Sequence, residues 1–366
     1  MRYEDAAREW QKHKHRFEDK GLYLPQALTY IPDGWGTDFD MAMDAAQPPL
    51  STAPNSGIPH WLTMLVDPTT IRILFSPLEA ANIYGEQRKG TWIDETQMFT
   101  IVEHSGQVSS YGDYATSGST GSNVNFPQKQ SYLYQTIKQL GEREIERAGR
   151  ARISWVGEID AACAMTMNRF QNYTYFYGVR GLQNYGWLND PSLSAPITAT
   201  PKAYSAGATA WITTGNVIAA TSNEIYADFQ ALFLKLVQQS RGLIKKSDKI
   251  TVAMSPDSEV ALTATNTFAV NVSDLLKKNF PNITIKTATQ FLAKSSANPG
   301  GNAAGNMMQM FVDSVQGQDR GYCAFNEKMR THPIIRDLSS YKQKVTGGTW
   351  GAIVRQPVCL AQMVGI

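Results

Sequence analysis

Charged residues are scarce in this chain of 366 residues. Asp, Glu, Lys and Arg make up 18% of it, against roughly 25% in an ordinary soluble domain. Hydrophobic residues make up 42%, and the chain contains 8 Trp, 16 Tyr and 14 Phe. Because the cores of protein interfaces lose charge and gain aromatic residues, this composition predicts a surface that partners largely cover. A large monomer with a large core is the alternative.

The chain also has no large excess of positive or of negative charge. The 34 Lys and Arg residues nearly balance the 32 Asp and Glu residues, which leaves a formal net charge of +2. Proteins whose main work is to grip phosphate groups usually carry a concentrated basic excess. The balance therefore argues against a dedicated nucleic-acid-binding protein.

Cysteine is rare, and its three copies, Cys163, Cys323 and Cys359, lie far apart. Without a C-x-x-C pair, a zinc site built from neighbouring residues is not expected. An odd number of cysteines without a secretory pattern favours free, buried thiols made in a reducing cytoplasm. The N-terminus has no apolar core of a signal peptide, and no run of about 18 apolar residues predicts a membrane span.

Catalytic motifs are absent as well: the chain has no G-x-S-x-G, no Walker lysine loop and no H-E-x-x-H. His13 and His15 stand two residues apart, so one helix face cannot present both to a metal. Glu103 and His104 are adjacent in a predicted strand and face opposite sides. We therefore assign no catalytic, cofactor-binding or metal-binding residue and expect no enzyme. An α/β hydrolase-like enzyme with an unrecognised site in 195–330 is the alternative from another class.

The N-terminal segment predicts an amphipathic helix over residues 1–20 that ends at Gly21. Its apolar positions include Trp10 and Phe17, and its charges nearly cancel. It is either a solvated surface helix or an arm that docks its Trp10 face on a neighbour. The proline-rich stretch 32–59 is typical of an extended connector.

A long polar segment follows two strand signals, at 69–77 and 91–106. Residues 105–126 contain four glycines, six serines and a single charge, Asp113. This composition cannot build a core of its own, and loops longer than roughly 12–15 residues without structure are uncommon. The segment is therefore either disordered or ordered by something outside its own domain.

Helical periodicity runs from about 131 to 177, and proline is absent from 128 to 190. A helix over 142–177 is about 54 Å long at 1.5 Å per residue, with Gly178 placed as its C-cap. Gly149 and Gly157 are the positions where it can bend or break. A helix of this length needs support along its whole course, so we interpret it as a spine.

The C-terminal half alternates helix and strand signals, which is typical of a compact α/β block over 195–330. Thr221 and Glu224 form a capping box, and Ser255-Pro256 opens a second helix. Between and beyond them we predict strands at 249–254 and 283–288, a helix at 273–280 opened by Ser273, a loose segment at 295–306 and a strand at 307–314. The last 20 residues are strand-like and interrupted by Pro357.

Two passages carry a resemblance to a known family. RGLQNYGWLNDPS (180–192) resembles the passage that follows the spine helix in many phage capsid subunits, and VEHSGQVSSYGDYA (102–115) resembles the start of the E-loop of a phage capsid subfamily. The order of elements resembles the α+β major capsid protein fold of Hong Kong 97-type tailed bacteriophages and of encapsulins. The parts it implies are an N-terminal arm (1–60), P-domain strands (61–104), an E-loop (105–127), the P-domain spine helix (128–194), an A-domain (195–330) and C-terminal strands that close both domains (331–366).

The resemblance implies a structural function: self-assembly into pentamers and hexamers of an icosahedral head that encloses double-stranded DNA. The contacts expected from arm and E-loop are those of Trp10, Phe17, Val108, Tyr111, Asp113, Tyr114, Val124 and Phe126. It also implies residence in the virion after synthesis in the host bacterial cytoplasm, non-specific contact with packaged DNA, and no membrane. No fused scaffolding leader is visible, so scaffolding, portal and decoration proteins are expected to be separate chains. An encapsulin-like nanocompartment shell is the alternative within the same fold.

One departure from the family concerns lysine. Some relatives weld their shells through a lysine–asparagine isopeptide bond that starts in the E-loop. In this chain no lysine lies between Ser105 and Gln128, and the first is Lys129. We therefore predict a non-covalent shell.

Overall fold

A computed structural model describes residues 78–151, 153–296 and 298–366. The predicted N-terminal arm with Trp10 and Phe17, and the predicted strand at 69–77, lie outside these residues. The described helices are α1 Ala80–Tyr84, α2 Glu142–Arg150, α3 Trp155–Tyr177, α4 Ser222–Gln239, α5 Pro256–Ala261 and α6 Val272–Asn279. Short 3-10 turns cover Thr289–Phe291 and Pro357–Cys359.

The described strands follow in chain order. They are β1 Glu86–Arg88, β2 Thr96–Met98, β3 Ile101–Gln107, β4 Ser119–Asn125, β5 Gln128–Gln130, β6 Tyr132–Gly141, β7 Ile197–Thr198, β8 Ile250–Met254, β9 Ile283–Thr287, β10 Met307–Val312, β11 Ser314–Val315, β12 Gln318–Asp319, β13 Gly321–Thr331, β14 Ile335–Asp337, β15 Ser340–Val354 and β16 Leu360–Val364.

The first sheet is built around β15, the longest described strand. The order is β1-β13-β15-β14, and β6 also pairs with β15. Residues Val345–Ile353 of β15 are buried, and the helix α3 packs across β15, β13 and β6. The C-terminal half of α3 supplies the buried side chains of this contact, among them Met167, Tyr175 and Phe176.

The predicted spine is two helices rather than one. Helix α2 ends at Arg150 and α3 begins at Trp155. The break therefore lies between Gly149 and Gly157, the two positions at which the sequence predicted a bend or break, and both glycines are helical. None of the residues of α2 is buried, and the buried residues of α3 begin only at Cys163, so the break lies in a stretch of the spine without buried residues. Because tertiary packing supplies most helical stability, a helix is interrupted at least cost in such an unsupported stretch. At 23 residues, α3 is still about 34 Å long.

The second sheet has the order β7-β16-β10-β8-β9. Strands β8, β10 and β16 are buried at every position, as expected for central strands covered on both faces. Helix α4 contributes a fully buried face of Ile225, Phe229, Leu232 and Leu236 to the core beside this sheet.

The helix starts of this region follow local rules closely. The Thr221–Glu224 capping box is confirmed at α4, and the Ser255 cap with Pro256 at the first helical position is confirmed at α5. The predicted start of α6 is wrong by two residues. Asn271, rather than Ser273, accepts the capping hydrogen bond from the Asp274 amide, because either residue type can cap and Asn271 lies where the chain enters the helix.

The two sheets share a core. The ring of Tyr84 stacks on Trp187 with centroids 4.5 Å apart, beside Phe311 of the second sheet. The buried guanidinium of Arg320 lies 3.7 Å from the Phe311 centroid and pairs with Asp313 at 3.3 Å. The expected boundary at residue 330 lies at the end of β13, a strand of the first sheet that begins at Gly321.

Apart from residues 152 and 297, the stretch 78–366 holds no helix with both the length and the apolar content that a bilayer crossing requires.

Candidate functional site

The polar segment forms an antiparallel ribbon, which we define as residues 96–130. Strand β2 pairs with β5 at its base, and β3 pairs with β4 over seven residues, from Ile101 opposite Asn125 to Gln107 opposite Ser119. A bond from the Phe99 amide to the Pro127 carbonyl, 3.0 Å long, joins the two paired regions. The segment is thus ordered by its own backbone ladder, which needs no apolar side chains. Composition alone did not reveal this.

Both strands of the outer ribbon are exposed at every position. The pair Val102 and Val124 remains about half exposed, as does Phe126. An isolated two-stranded ribbon is marginally stable in water at best. A ribbon that buries none of its residues therefore gains most from a surface supplied by another molecule.

The ribbon tip, residues 108–118, presents its largest side chains to solvent. Val108 is 95% exposed, Tyr111 93% and Tyr114 98%. The Tyr111 hydroxyl donates to the Asp113 carboxylate at 2.8 Å, and the Ala115 amide donates to the Gly112 carbonyl at 2.9 Å. These bonds hold the aromatic ring and the single charge of the tip as one unit.

The structure thus brings four predicted contact residues, Val108, Tyr111, Asp113 and Tyr114, together in the tip. Val124 and Phe126 lie on the returning strand, nearer the base. Trp10 and Phe17 lie outside the described residues. Contact with another subunit remains a prediction for all eight.

The base of the ribbon is anchored by residues that sequence reasoning did not single out. The Lys129 ammonium lies 2.6 Å from a carboxylate oxygen of Asp190 and 4.7 Å from the Tyr185 ring centroid. The Asn184 side-chain amide donates to the Gln130 and Thr349 carbonyls, each at 3.1 Å. All these partners belong to the passage 180–192, which we call the hub, to the ribbon base or to β15. The only sequence signal for the hub was its resemblance to a capsid passage.

The hub also closes the C-terminus of α3. The amides of Trp187 and Leu188 donate to the Tyr175 and Phe176 carbonyls at 2.9 and 3.1 Å. The Asn189 side-chain amide donates to the Tyr177 carbonyl at 2.7 Å. Carbonyls that a helix end leaves without partners are thereby satisfied. The hub ties spine, ribbon and first sheet together at one point.

Tyrosines at this end of the spine serve packing. Tyr175 is buried and donates to Glu86 at 2.6 Å, and burial raises its pKa well above the ordinary value. Burial likewise raises the pKa of Tyr177 to about 12. Both phenols are therefore neutral at physiological pH and act as hydrogen-bond donors rather than as acids.

The second sheet region contains a buried ion pair that the sequence did not predict. Lys202 and Asp228 pair with both side chains fully buried. Asp228 also accepts from the Trp211 indole and the Thr200 hydroxyl, each at 2.7 Å. A buried pair is tolerated when such extra bonds satisfy its oxygens. This arrangement joins the segment around Lys202 to helix α4 through buried hydrogen bonds.

The cysteine prediction is confirmed: all three thiols are buried and free. Burial raises the pKa of the Cys323 thiol, so it stays protonated and unreactive. In the part of the chain that the structure describes, no three His, Cys, Asp or Glu side chains are grouped to hold a metal ion. The exposed ribbon with its anchor is the candidate functional site.

Comparison with known proteins agrees with this geometry. The family model described as Pa193 gp26 major capsid protein matches residues 49–365. The chain belongs to this major capsid protein family. No curated protein sequence matches it.

Solved capsid chains share the fold of this major capsid protein. The capsid of the Myoviridae phage XM1 aligns with 86% of this chain and 100% of its own, with a TM-score of 0.66 and 13% identity. Gordonia phage Cozz covers 87% and 97%, with a TM-score of 0.54 and 9% identity. The capsid of an empty GTA particle covers 85% and 99%, with a TM-score of 0.52 and 11% identity.

The predicted α+β, Hong Kong 97-like capsid fold is therefore confirmed, and the chain is a structural protein of a phage virion. The family also favours the phage capsid over the two alternatives, a nanocompartment shell and an α/β hydrolase-like enzyme.

Proposed function

We propose that this major capsid protein assembles with copies of itself into pentamers and hexamers of an icosahedral head, and that the ribbon is an inter-subunit contact of that shell. The observation that carries the proposal is the exposure of the tip, where Val108, Tyr111 and Tyr114 are each more than 90% exposed. Exposed apolar and aromatic surface of this kind marks an interaction site.

The physics of the ribbon supports such a contact. An exposed ribbon adds its strands or side chains to a neighbouring subunit at little conformational cost, because its backbone is already paired. Each contact is weak by itself. Repetition around a closed shell makes the contacts cooperative, since every subunit is held by several others.

The balance of charges supports a container for double-stranded DNA that touches its content without sequence preference. A net charge of +2 over 366 residues neither grips nor strongly repels phosphates. The protein functions as a structural subunit without catalysis, is made in the host bacterial cytoplasm, and works with separate scaffolding, portal and decoration proteins.

Shortening the ribbon tests this function. We replace residues 108–118 with the two-residue turn Asn-Gly, which joins β3 to β4 and leaves the ladder and the hub intact. The expected product is a folded subunit that forms capsomers or aggregates but no closed particles, as seen by negative-stain microscopy and sedimentation.

The matched control replaces residues 214–217, which are all exposed and lie outside the ribbon, with a Gly-Ser stretch of equal length. Circular dichroism establishes that both variants fold. Closed particles of normal size from the shortened ribbon contradict the proposed function.

A further inference from the structure

The near-balance of charge over the whole chain conceals an uneven distribution. Residues 241–249 and 277–282, which we call the basic patch, contain six cations and one carboxylate, that of Asp248. The patch therefore carries a formal charge of +5, whereas the whole chain carries only +2, so the residues outside the patch have a small negative net charge. The six cations are Arg241, Lys245, Lys246, Lys249, Lys277 and Lys278.

The fold brings the two halves of the patch together. Residues 241–249 lead from α4 into β8, and residues 280–282 lead from the end of α6 into β9. Because β8 and β9 are parallel neighbours, both connections enter the second sheet at the same end. The Asn282 side-chain amide donates to the Ser247 carbonyl at 2.6 Å, which joins the two connections directly.

The cations of the patch are exposed, and none of them pairs with a carboxylate of the described residues. The Asp248 carboxylate accepts from the Lys245 backbone amide at 2.8 Å. The dipole of α6 favours the two lysines in its last turn, but Lys245, Lys246 and Lys249 lie in a connection outside any helix. Like charges gathered in this way repel one another, which favours a partner that supplies negative charge.

The side chains of the patch favour a polyphosphate over an acidic protein as that partner. Interfaces between proteins place apolar and aromatic anchors at their centre, but Leu243 is the one large apolar side chain that the patch exposes. Five of the six cations are lysines, flexible point charges that bind phosphate oxygens. Double-stranded DNA presents one negative charge per roughly 1.7 Å of its axis.

We propose that the basic patch is the surface at which this capsid protein contacts packaged double-stranded DNA, with its lysine ammonium groups bound to backbone phosphates. This inference rests on the proposed function, since it gives the contact between container and DNA a location on the subunit.

Such a contact does not depend on base sequence. Sequence readout requires side chains that reach base edges in a groove, whereas contacts to phosphates only position the duplex. The patch consists of two connections and the last turn of α6, and its cations spread over that surface rather than along one inserted element. Every subunit therefore offers the same contact to whatever stretch of DNA lies against it.

Lysine reactivity in particles tests the placement. Mature particles are acetylated with a small reagent before and after osmotic shock has emptied them, and mass spectrometry gives the rate at each lysine. We expect the patch lysines to react roughly fivefold or more slowly in filled particles, because phosphates neutralise and cover them. Lys294, an exposed lysine outside the patch, is the internal control and reacts equally in both.

Salt dependence tests the chemistry. Fluorescence anisotropy measures the binding of a short labelled duplex to the soluble subunit at several salt concentrations. The slope of log binding constant against log salt is expected to change from about −5.4 to about −3.6 in the paired variant Lys245→Gln with Lys246→Gln, since each phosphate contact contributes about −0.9. Lys294→Gln with Lys344→Gln removes two exposed lysines outside the patch and leaves the slope unchanged.

The outcomes separate the possible partners. Patch lysines that react rapidly in both filled and emptied particles face away from the DNA, and patch lysines protected in both are covered by a protein segment; either result refutes the proposal. A slope that the paired variant leaves unchanged refutes it as well. In these cases DNA-filled particles still support the proposed function, whereas particles without double-stranded DNA refute the container and the patch assignment together.

Discussion

Leu338 combines two unfavourable features at the residue scale. It lies in the two-residue turn between β14 and β15 with a φ of +45°, and its side chain is 93% exposed. A left-handed conformation costs an L-residue roughly 1–2 kcal/mol, and glycine avoids most of that cost. The exposed side chain returns little packing energy to the isolated subunit.

We predict that Leu338→Gly raises the free energy of unfolding of the isolated subunit by about 0.5–1 kcal/mol. Relief of strain exceeds the extra entropy that glycine gains in the unfolded chain. Leu234→Gly is the control of opposite sign. That leucine is 56% exposed but sits in α4, where glycine costs about 1 kcal/mol. Urea unfolding curves measure both, and a destabilised Leu338→Gly subunit contradicts the prediction.

Single residues also show where sequence reasoning stopped. The Thr221 capping box was readable because its partners stand three residues apart. The Lys202–Asp228 pair was not, because 26 residues separate its members and neither has a local signal. Asp113 was singled out as the only charge of its segment, but its bond to Tyr111 depends on the conformation of the tip.

The hub sets the arrangement at the scale of elements. Gly186 lies in it against the end of α3, where an added Cβ would stand 2.1 Å from the Phe176 carbonyl oxygen. The nearest atoms that this Cβ would meet belong to the backbone of Phe176 and Tyr177, which cannot move without opening the junction. The ribbon base and the spine end therefore depend on this close approach.

We predict that Gly186→Ala destabilises the subunit by about 3 kcal/mol or more, since the clash falls on backbone atoms of the spine. Gly149→Ala is the matched control. Gly149 lies within α2 with open space around its Cα, so alanine there is expected to stabilise by up to about 1 kcal/mol. Thermal unfolding of both variants tests the pair, and equal melting temperatures would count against the role of the hub.

Elements were predictable where the signal was local. Strands β8 and β9 and helices α4 and α5 lie close to the predicted positions, since caps and apolar patterns mark them. The interruption of the spine was not placed correctly, because it lies in a stretch without buried residues before Cys163, and neither glycine marks its position. The outgoing strands β2 and β3 of the ribbon lie in the predicted strand at 91–106, whereas the returning strand β4 was missed, as serine and glycine carry weak strand signals.

At the scale of the whole molecule, the position of the lysines bears on how copies of the chain are held together. No lysine lies in the outer ribbon, and the nearest, Lys129, is held by Asp190 at 2.6 Å with its side chain only 14% exposed. This ion pair holds the amine at the base of the ribbon. The Lys129–Asp190 ion pair is thus a second observation, besides the absence of lysine from the outer ribbon, that supports the prediction of a non-covalent shell.

We predict that mature particles, boiled in detergent without reductant, run as a single band of the 40.5 kDa subunit. Contacts and hydrogen bonds hold such a shell, so denaturant separates all of them. Particles cross-linked with glutaraldehyde before boiling are the control that shows the ladder of a covalent shell. The same ladder from untreated mature particles would refute the prediction.

The sequence by itself determined what depends on neighbours along the chain: helix starts, the order of elements, the absence of lysine from the ribbon and the family resemblance. The tertiary structure decided what depends on distant partners. It paired β13 with β15, placed β16 beside β10 in the second sheet, and joined Asn184 to both Gln130 and Thr349. These contacts link residues from 14 positions apart, as in Thr331 and Val345, to 165 positions apart, as in Asn184 and Thr349, and the folded geometry of the chain selects them rather than any local preference.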